Sequence, residues 1–350
     1  MLIGPIYHVS HVYHSSNLLI KDSNDFIYDL FSFTHPFRME AFFLLAGFFS
    51  TLLIEKKGIK YFKKSRIEKI FIPLIFSTLL ILPITNYIIY KYSGDYVFSF
   101  WHLWFLITLS IILSFYYLFY EKLKFIILKI SNLSVIKIML FALVYYGLLY
   151  YSNIIVYKVM ISHDLVYTNI FFQNIIFNPL INVLPVLLGS SLYYKRKFIP
   201  KKYNYIIIIF FILFHTIFTS PALLEFDFVL KLVLRCLYFI IVSSLILMIF
   251  NFFVDLNISN NKTISFFVNS SFTIYLVHQP LVFLNCLLVN NYFSDFYLQF
   301  VFASTLTYVE SIFLYILFSR TYVGRLIFGI KEPYKPELSM FKSINYTNNS

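Results

Sequence analysis

Residues 36–54, PFRMEAFFLLAGFFSTLLI, decide the fold. The run holds two charged side chains, Arg38 and Glu40, both near its start, and is otherwise almost entirely apolar. A helix of this length would extend about 28 Å, which matches the roughly 30 Å of hydrocarbon in a bilayer. Because a lipid-exposed backbone has no water to bond with, a helix satisfies its polar groups best. This stretch therefore predicts a transmembrane helix.

Runs of similar character recur along the 350 residues. The chain is 60% hydrophobic and 13% charged, whereas soluble domains carry about 25% charged residues. This composition excludes a soluble enzyme, and we predict an all-α polytopic membrane protein with about ten transmembrane helices. The predicted spans cover approximately residues 1–20, 36–54, 70–90, 101–120, 138–157, 175–194, 205–220, 229–252, 264–290 and 296–318.

Basic residues are distributed unequally between alternate loops. Of 28 Lys and Arg residues, 22 fall on one side of the predicted bundle and three fall in the loops of the other side. The positive-inside rule then places both termini in the cytoplasm. The net charge of +12 is thus a topology signal, and we expect membrane lipid but no nucleic acid as a partner. The predicted location is a bacterial cytoplasmic (inner) membrane.

Three histidines spaced by three, His8, His11 and His14, lie in the first predicted span. An ionisable group at the bilayer centre costs about 2.5–3.5 kcal/mol on insertion scales and is a functional candidate by default. His11 and His14 could instead be solvated at the outer helix end. No Cys, Asp or Glu accompanies the three at ligand spacing, so we expect no metal site. His8 lies deepest and is the strongest candidate.

The second span begins with charged residues at the predicted outer face. Arg38 could extend to the interface or pair with a nearby Asp. Glu40 lies deeper, where an ion pair with Lys231 or Arg235 would satisfy it without catalysis. Lys231 and Arg235 are four residues apart and share a helix face, which suggests a bound anion or a carboxylate partner. We take all four as candidate substrate-binding residues.

Two further histidines have unusual neighbours. His102 lies between the only two tryptophans, one of which is Trp104, in FWHLWFL. An aromatic belt explains the tryptophans but not the histidine, and Trp104 joins the substrate-binding candidates. His278 and Gln279 precede a proline in NSSFTIYLVHQPLV, and a proline within a helix exposes backbone polarity. We predict catalytic roles for His102 and His278, and substrate binding by Gln279.

Two basic residues, Arg66 and Lys69, precede the third span in SRIEKIFIP on the predicted cytoplasmic side. They could anchor the helix at the interface. Guanidinium and ammonium groups also bind phosphates, and a guanidinium does so bidentately. We therefore consider a phosphate site as well as an anchor.

Together, HPFRMEAFFLLAGFF, the basic stretch ending SRIEKIFIP, HLWFL and NSSFTIYLVHQPL resemble the integral-membrane acyltransferase-3 family. The resemblance extends along most of the chain, with the motifs in the right order, and is greatest to members associated with succinyl groups on periplasmic glucans. It implies an acyltransferase-3-like domain over residues 1–330. The family's first span starts with a polar, Arg-containing stretch that is absent here, so we expect a first helix shortened at its N-terminus. Residues 331–350 are expected to form a disordered cytoplasmic tail.

The resemblance implies an O-acyltransferase that moves a succinyl or acetyl group from cytoplasmic acyl-CoA to a hydroxyl of a periplasmic or cell-surface glycan. Acyl-CoA would be the donor substrate, with no permanently bound cofactor. The family's motif histidine corresponds to His8, which would accept the sugar proton, while His102 or His278 with Gln279 would supply hydrogen bonds. Its basic motif corresponds to Arg66, with Lys69 where arginine is common. Arg38 could hold the acceptor or the free carboxylate of a succinyl group.

Two other functions remain open. A transporter or flippase for an anionic metabolite or a lipid-linked sugar could use Lys231, Arg235 and the histidines as a binding path. Such proteins tend to show internal repeats, and this sequence shows none. A scaffold whose polar residues only join helices explains the intramembrane charges poorly.

Overall fold

The computed structural model describes residues 3–14, 25–93, 98–163, 165–195, 203–219, 227–256 and 261–331. Of the predicted tail, only Lys331 falls within these ranges, and residues 332–350 lie outside the described residues. All regular structure in the described ranges is helical, so the predicted all-α class is confirmed.

The α-helices are α1 (Ile3–His14), α2 (Asp25–Ser32), α3 (His35–Lys57), α4 (Ile59–Arg66), α5 (Ile72–Phe76), α6 (Leu82–Ser93), α7 (Trp104–Leu118), α8 (Tyr120–Asn132), α9 (Val135–Ser162), α10 (Val166–Phe172), α11 (Asn178–Lys195), α12 (Asn204–Thr219), α13 (Phe228–Asp255), α14 (Lys262–Asn290), α15 (Phe296–Ser319) and α16 (Tyr322–Ile327). π-Helical segments join α4 to α5, α5 to α6 and α10 to α11. A 3-10 turn, Trp101–Leu103, precedes α7. Because these segments continue the helical path, several of the shorter helices combine into long spans.

Eight helical spans in the described ranges are long and apolar enough to cross a membrane. They coincide with eight of the ten predicted spans and indicate a multi-pass membrane protein. In the other two predicted spans, the described residues form the shorter helices α1 and α12. The eight spans are Phe26–Lys57, Ile59–Lys91, Trp101–Leu118, Val135–Ser162, Thr168–Lys195, Val229–Asp255, Lys262–Asn290 and Phe296–Ser319.

Helices α3 and α11 pack in close backbone contact. A Cβ atom added to Gly47 would overlap the Val186 carbonyl group, and one added to Gly189 would overlap the Leu44 carbonyl group. In a bilayer, where lipid is as apolar as leucine, helices associate through such close contacts between small residues. The two glycines therefore allow α3 to run against α11 backbone to backbone.

A buried hydrogen-bond chain ties α7 to this pair. The Tyr116 hydroxyl lies 2.6 Å from Thr51 Oγ1 and donates to Ser190 Oγ at 3.0 Å. Interhelical hydrogen bonds in membranes contribute about 0.6–2 kcal/mol each. These hydrogen bonds fix α7 relative to α3, and the N-terminal ends of both helices carry candidate site residues.

Helices α1, α14 and α15 form a second packed unit. Val9, Val12 and Phe283 belong to one buried apolar cluster of these helices. Asn285 Nδ2 donates to Glu310 Oε2 at 2.7 Å, which gives the Glu310 carboxyl group a partner on the neighbouring helix. The packing of α1 on α14 brings the histidine-bearing segments of both helices together.

Candidate functional site

Three histidines predicted as catalytic converge at one place in the bundle. His8 comes from α1, His102 from the 3-10 turn before α7, and His278 from α14. The centre of the His278 ring lies 5.1 Å from that of His8 and 4.9 Å from that of His102. His278 therefore stands between the other two rings.

The turn that presents His102 has an unusual backbone. Trp101 has a φ of 44° and is the only non-glycine residue with positive φ in the described part of the chain. Such a conformation costs free energy and persists only where the surroundings fix it. The Trp101 indole donates to Asn86 Oδ1 at 2.7 Å, and the Tyr275 hydroxyl donates to the His102 carbonyl group at 2.5 Å. These two bonds hold the turn against α6 and α14.

Pro280 explains how His102 is oriented. A proline has no N–H, so the carbonyl group four residues earlier, that of Leu276, loses its helical partner. His102 Nε2 lies 3.1 Å from this carbonyl oxygen and supplies the missing hydrogen bond. A carbonyl oxygen only accepts, so the neutral His102 ring carries its proton on Nε2. The lone pair is then on Nδ1, which is buried and has no partner among the described residues.

His278 has the opposite tautomer, because its other ring nitrogen is the one that contacts backbone carbonyl oxygens. Its Nδ1 lies 2.7 Å from the Tyr275 carbonyl oxygen and 3.1 Å from that of Ile274. The neutral ring therefore carries its proton on Nδ1 and its lone pair on Nε2. That nitrogen is buried and has no partner in the described structure. His102 and His278 thus each present an unoccupied acceptor nitrogen.

Arg38 lies on α3 beside the histidines. One of its terminal nitrogens is 3.3 Å from His35 Nδ1, and its guanidinium carbon lies 5.1 Å from the centre of the Tyr7 ring. Its other terminal nitrogen, Nη1, is buried without a partner, and no carboxylate pairs with Arg38 in the described ranges. The predicted alternative of a simple ion pair is therefore not observed. The guanidinium group is available to an anion.

These side chains surround one cavity of about 230 Å³, which we call the histidine cavity. Since a water molecule occupies about 30 Å³ in the liquid, this volume suits a small acyl group with the reacting part of an acceptor. Gln279 Oε1 is buried there without a partner. Six predicted site residues line the cavity: His8, Arg38, His102, Trp104, His278 and Gln279.

A second cavity, of about 680 Å³, contains Arg66 and Lys69 together with Lys331, and we call it the basic cavity. Arg66 Nη2 donates to Ser50 Oγ at 3.3 Å, whereas Arg66 Nε is buried without a partner in the described structure. Lys69 lies in the π-helical segment Ile67–Phe71. Such segments are frequent at functional sites. The basic cavity lies on the side predicted to be cytoplasmic.

Two phenylalanines separate the two cavities. Phe42 and Phe105 line both of them, and the centres of their rings are 5.9 Å apart. The rings therefore form a thin apolar partition, with the histidine cavity on one side and the basic cavity on the other.

Glu40 lines neither cavity but belongs to a third one, of about 270 Å³, which we call the side cavity. The predicted ion pair of Glu40 with Lys231 or Arg235 is not formed, because Glu40 has no ion-pair partner in the described ranges and its Oε2 atom is buried without a hydrogen bond. Arg235 instead lies with its guanidinium carbon 6.0 Å from the ring centre of Tyr150, a residue of the side cavity. Neither Lys231 nor Arg235 lines any of the three cavities.

Sequence reasoning did not identify several residues that line these cavities, among them two asparagines, a tyrosine and two phenylalanines. Asn178 and Asn182 interrupt an apolar run, so the cost of polar groups in a membrane could have indicated both. Tyr7, Phe42 and Phe105 carried no such signal, because the chain contains 30 tyrosines and 44 phenylalanines. Their roles depend on helix packing that the sequence does not display.

Comparisons with known proteins agree with the earlier resemblance. A family model described as an acyltransferase domain matches residues 1–318. Glucans biosynthesis protein C of Escherichia coli (strain K12) is 31% identical over 94 residues, which are 26% of this chain and 24% of that protein. The protein of the same name from Salmonella typhi is 28% identical over 138 residues, or 32% of this chain and 34% of that protein. The match thus spans about a third or less of these relatives, and no solved structure matches the chain.

Proposed function

The chain belongs to the acyltransferase-3 family, and on that premise we propose that it is a membrane O-acyltransferase. It takes a succinyl or acetyl group from acyl-CoA on the cytoplasmic side and transfers it to a hydroxyl of a glycan on the other side. The observation that carries this proposal is the arrangement of two cavities that share the partition of Phe42 and Phe105. One cavity is basic and the other contains the histidines.

The basic cavity supplies what a CoA donor requires. The CoA phosphates are anionic, and Arg66, Lys69 and Lys331 place three cationic groups around the cavity. The unpartnered Arg66 Nε can donate to a phosphate oxygen. The narrow thioester arm would cross the partition, which requires the rings of Phe42 and Phe105 to move apart, while the nucleotide stays on the cytoplasmic side.

The histidine cavity supplies the proton acceptor. The hydroxyl oxygen of the glycan forms a bond to the thioester carbonyl carbon, its proton passes to His8, and the carbon–sulfur bond then breaks. The CoA thiolate leaves and is protonated, and the histidine returns to its neutral form. We assign His8 as the base because it lines the cavity and, among the described residues, no hydrogen bond to a backbone carbonyl occupies its ring nitrogens.

The contacts of the other two histidines change the roles expected for them. Both N–H groups of the neutral His102 and His278 rings already donate to backbone carbonyl groups. The two rings can therefore accept a proton or hydrogen bond in the cavity but have no N–H left for an oxyanion. Donation to the oxyanion falls to the Gln279 amide and the Arg38 guanidinium group. Arg38 would also pair with the free carboxylate if the acyl group is succinyl.

Acyl transfer in isolated membranes tests the proposal. Membranes containing the protein are incubated with radiolabelled acyl-CoA and a glucan, and the extracted glucan is counted. We expect label on the glucan with the wild type and loss of at least 99% of it with His8→Ala, because a positioned base contributes about 10²–10⁴-fold.

The matched control is His14→Ala. His14 lies at the other end of α1, stacked on Tyr28 with ring centres 3.9 Å apart, and does not line the histidine cavity. It should transfer label at the wild-type rate. Near-normal transfer by His8→Ala would remove His8 as the base. Movement of a labelled anion or lipid-linked sugar across the membrane without any transfer would favour the transporter or flippase instead.

A further inference from the structure

The side cavity contains a carboxyl group whose partner is missing. Glu40 is 8% exposed, and its Oε2 atom has no hydrogen-bond partner in the described structure. The Ser243 hydroxyl approaches the carboxyl group, but Ser243 Oγ also lacks a hydrogen bond of ordinary geometry. A carboxyl group buried in this way is costly unless it meets donors. Glu40 lines the side cavity, so donors bound in that cavity would lie next to its carboxyl group.

The lining of the side cavity is suited to a sugar. Sugar rings combine hydroxyl groups with an apolar face, and they therefore need hydrogen-bonding groups next to aromatic surfaces. Glu40, Asn178 and Asn182 provide polar atoms, while Trp104 and Tyr150 provide aromatic rings. A few placed polar groups within a mainly apolar lining are typical of small-molecule sites. The volume of about 270 Å³ is comparable with one monosaccharide unit.

The side cavity adjoins the histidine cavity. His35, Met39 and Trp104 line both. On α3, Glu40 follows Arg38 by two residues, and residues at this spacing point in different directions. One helix end thus serves both cavities, with Arg38 in one and Glu40 in the other.

We infer that the side cavity binds a sugar unit of the acceptor glycan, with the Glu40 carboxylate accepting hydrogen bonds from sugar hydroxyls. A unit held there projects a further hydroxyl past Trp104 into the histidine cavity, where acylation takes place. This inference rests on the proposed function and adds to it the residue that selects a carbohydrate acceptor.

Tryptophan fluorescence measures the binding directly, because Trp104 lines the side cavity and the chain has two tryptophans. Purified full-length protein is titrated with a soluble glucan oligosaccharide. We expect saturable quenching in the wild type and a dissociation constant at least tenfold higher in Glu40→Gln and Glu40→Leu. Equal binding by the wild type and both variants would overturn the inference.

Glu55→Gln is the matched control, because Glu55 lies on the same helix as Glu40. Glu55 contacts Tyr120, Tyr194 and Lys124, and none of these residues lines the side cavity. It should bind the oligosaccharide like the wild type. Thermal unfolding without glucan separates binding from packing. Since an apolar side chain of similar size removes the cost of burying the carboxyl group, Glu40→Leu should keep or raise the melting temperature. A marked fall would assign Glu40 to packing and overturn the inference.

Transfer kinetics separate the two proposals. With Glu40→Gln, the KM for the glucan should rise at least tenfold while the KM for acyl-CoA stays unchanged. An unchanged glucan KM would overturn the sugar inference alone. A wild type that binds the oligosaccharide but never acylates it would overturn the proposed function and still support a sugar site.

Discussion

Helix α3 carries two glutamates whose surroundings are opposite. Near its C-terminal end Glu55 contacts Lys124 Nζ at 2.8 Å and accepts from the hydroxyls of Tyr120 and Tyr194 at 2.7 and 3.1 Å. Near its N-terminal end Glu40 is buried and its Oε2 atom has no hydrogen-bond partner in the described structure. The fold supplies every partner that a structural carboxylate needs. Polar atoms left without partners beside a cavity therefore indicate where a ligand is expected.

Histidines can also be judged by whether their ring nitrogens have partners. On this ground, the largest effect on acyl transfer is expected for His278→Ala. The variant removes the unpartnered Nε2 atom from the centre of the histidine cavity while it leaves helix α14 intact. We expect acyl transfer to fall by about 10²–10⁴-fold, the range for a group that takes part in proton transfer. The measurement is the initial rate of label transfer per folded protein, with folding checked by thermal unfolding.

His163→Ala is a suitable control for this variant, because His163 is exposed and follows the last turn of α9. It should transfer label like the wild type. If His278→Ala retained normal transfer, a buried nitrogen without a partner would not identify a catalytic side chain. The same reasoning could then not be used to distinguish Glu40 from Glu55.

A smaller effect is expected at the basic cavity, where Arg66 combines a partnered and an unpartnered nitrogen. A hydrogen bond to a charged group contributes about 1.5–3 kcal/mol, so Arg66→Ala should raise the KM for acyl-CoA by about tenfold or more. The KM for the glucan should not change. Steady-state kinetics with each substrate varied in turn measures both values.

Lys64→Ala is the control for Arg66→Ala, because it removes one positive charge from the same segment. Lys64 is exposed and lies 4.0 Å from Glu68, and it does not line the basic cavity. An equal rise in the KM for acyl-CoA in both variants would mean that the general positive charge of this face, rather than the cavity, holds the donor.

The smallest effect is expected for the stability of the protein, at Glu55, whose carboxylate has all its partners. Glu55→Ala removes a partly exposed ion pair and two hydrogen bonds, and we expect a loss of about 1–2 kcal/mol in the free energy of unfolding. Acyl transfer per folded protein should be unchanged. A loss of transfer without a loss of stability would contradict the structural role of Glu55.

The contribution of Glu55 to the free energy of unfolding depends on pH through Lys124, which lies on α8 outside the membrane spans. Its hydrogen bond to Glu55 raises the pKa of the Lys124 ammonium group. On the lysine side, the stabilisation is therefore fully present below the ordinary lysine pKa of about 10.4. It is lost only as the pH rises through the raised value. Thermal unfolding of the wild type and Glu55→Ala between neutral and alkaline pH measures this difference.

The apolar runs were sufficient to predict the helical class, because length and hydropathy act within one segment at a time. Eight of the predicted spans have membrane-crossing length, and the first and seventh are shorter. Of the candidate site, His8, His102 and His278 could be expected together from the motif order of the family. Their tautomers could not, because each depends on which backbone carbonyl group the ring contacts, and for His102 this group belongs to a distant segment.

Residues whose roles depend on packing between distant segments were less predictable. Glu40 and Arg235 have opposite charges and lie in the N-terminal parts of their helices, which made an ion pair a reasonable hypothesis. The structure turns Arg235 towards Tyr150 instead and leaves Glu40 in the side cavity. Phe42 and Phe105 meet only because α3 and α7 pack side by side, and nothing in either segment marks them among so many aromatic residues.

Pro280 has an effect beyond the bend that a proline usually introduces. By withholding one amide hydrogen from α14, it directs the Leu276 oxygen to a ring carried by a different segment. The location of the proton on His102 is therefore set by the covalent chemistry of position 280. Positions 102 and 280, far apart along the chain, form one functional unit, and a change at either one alters what the other can do.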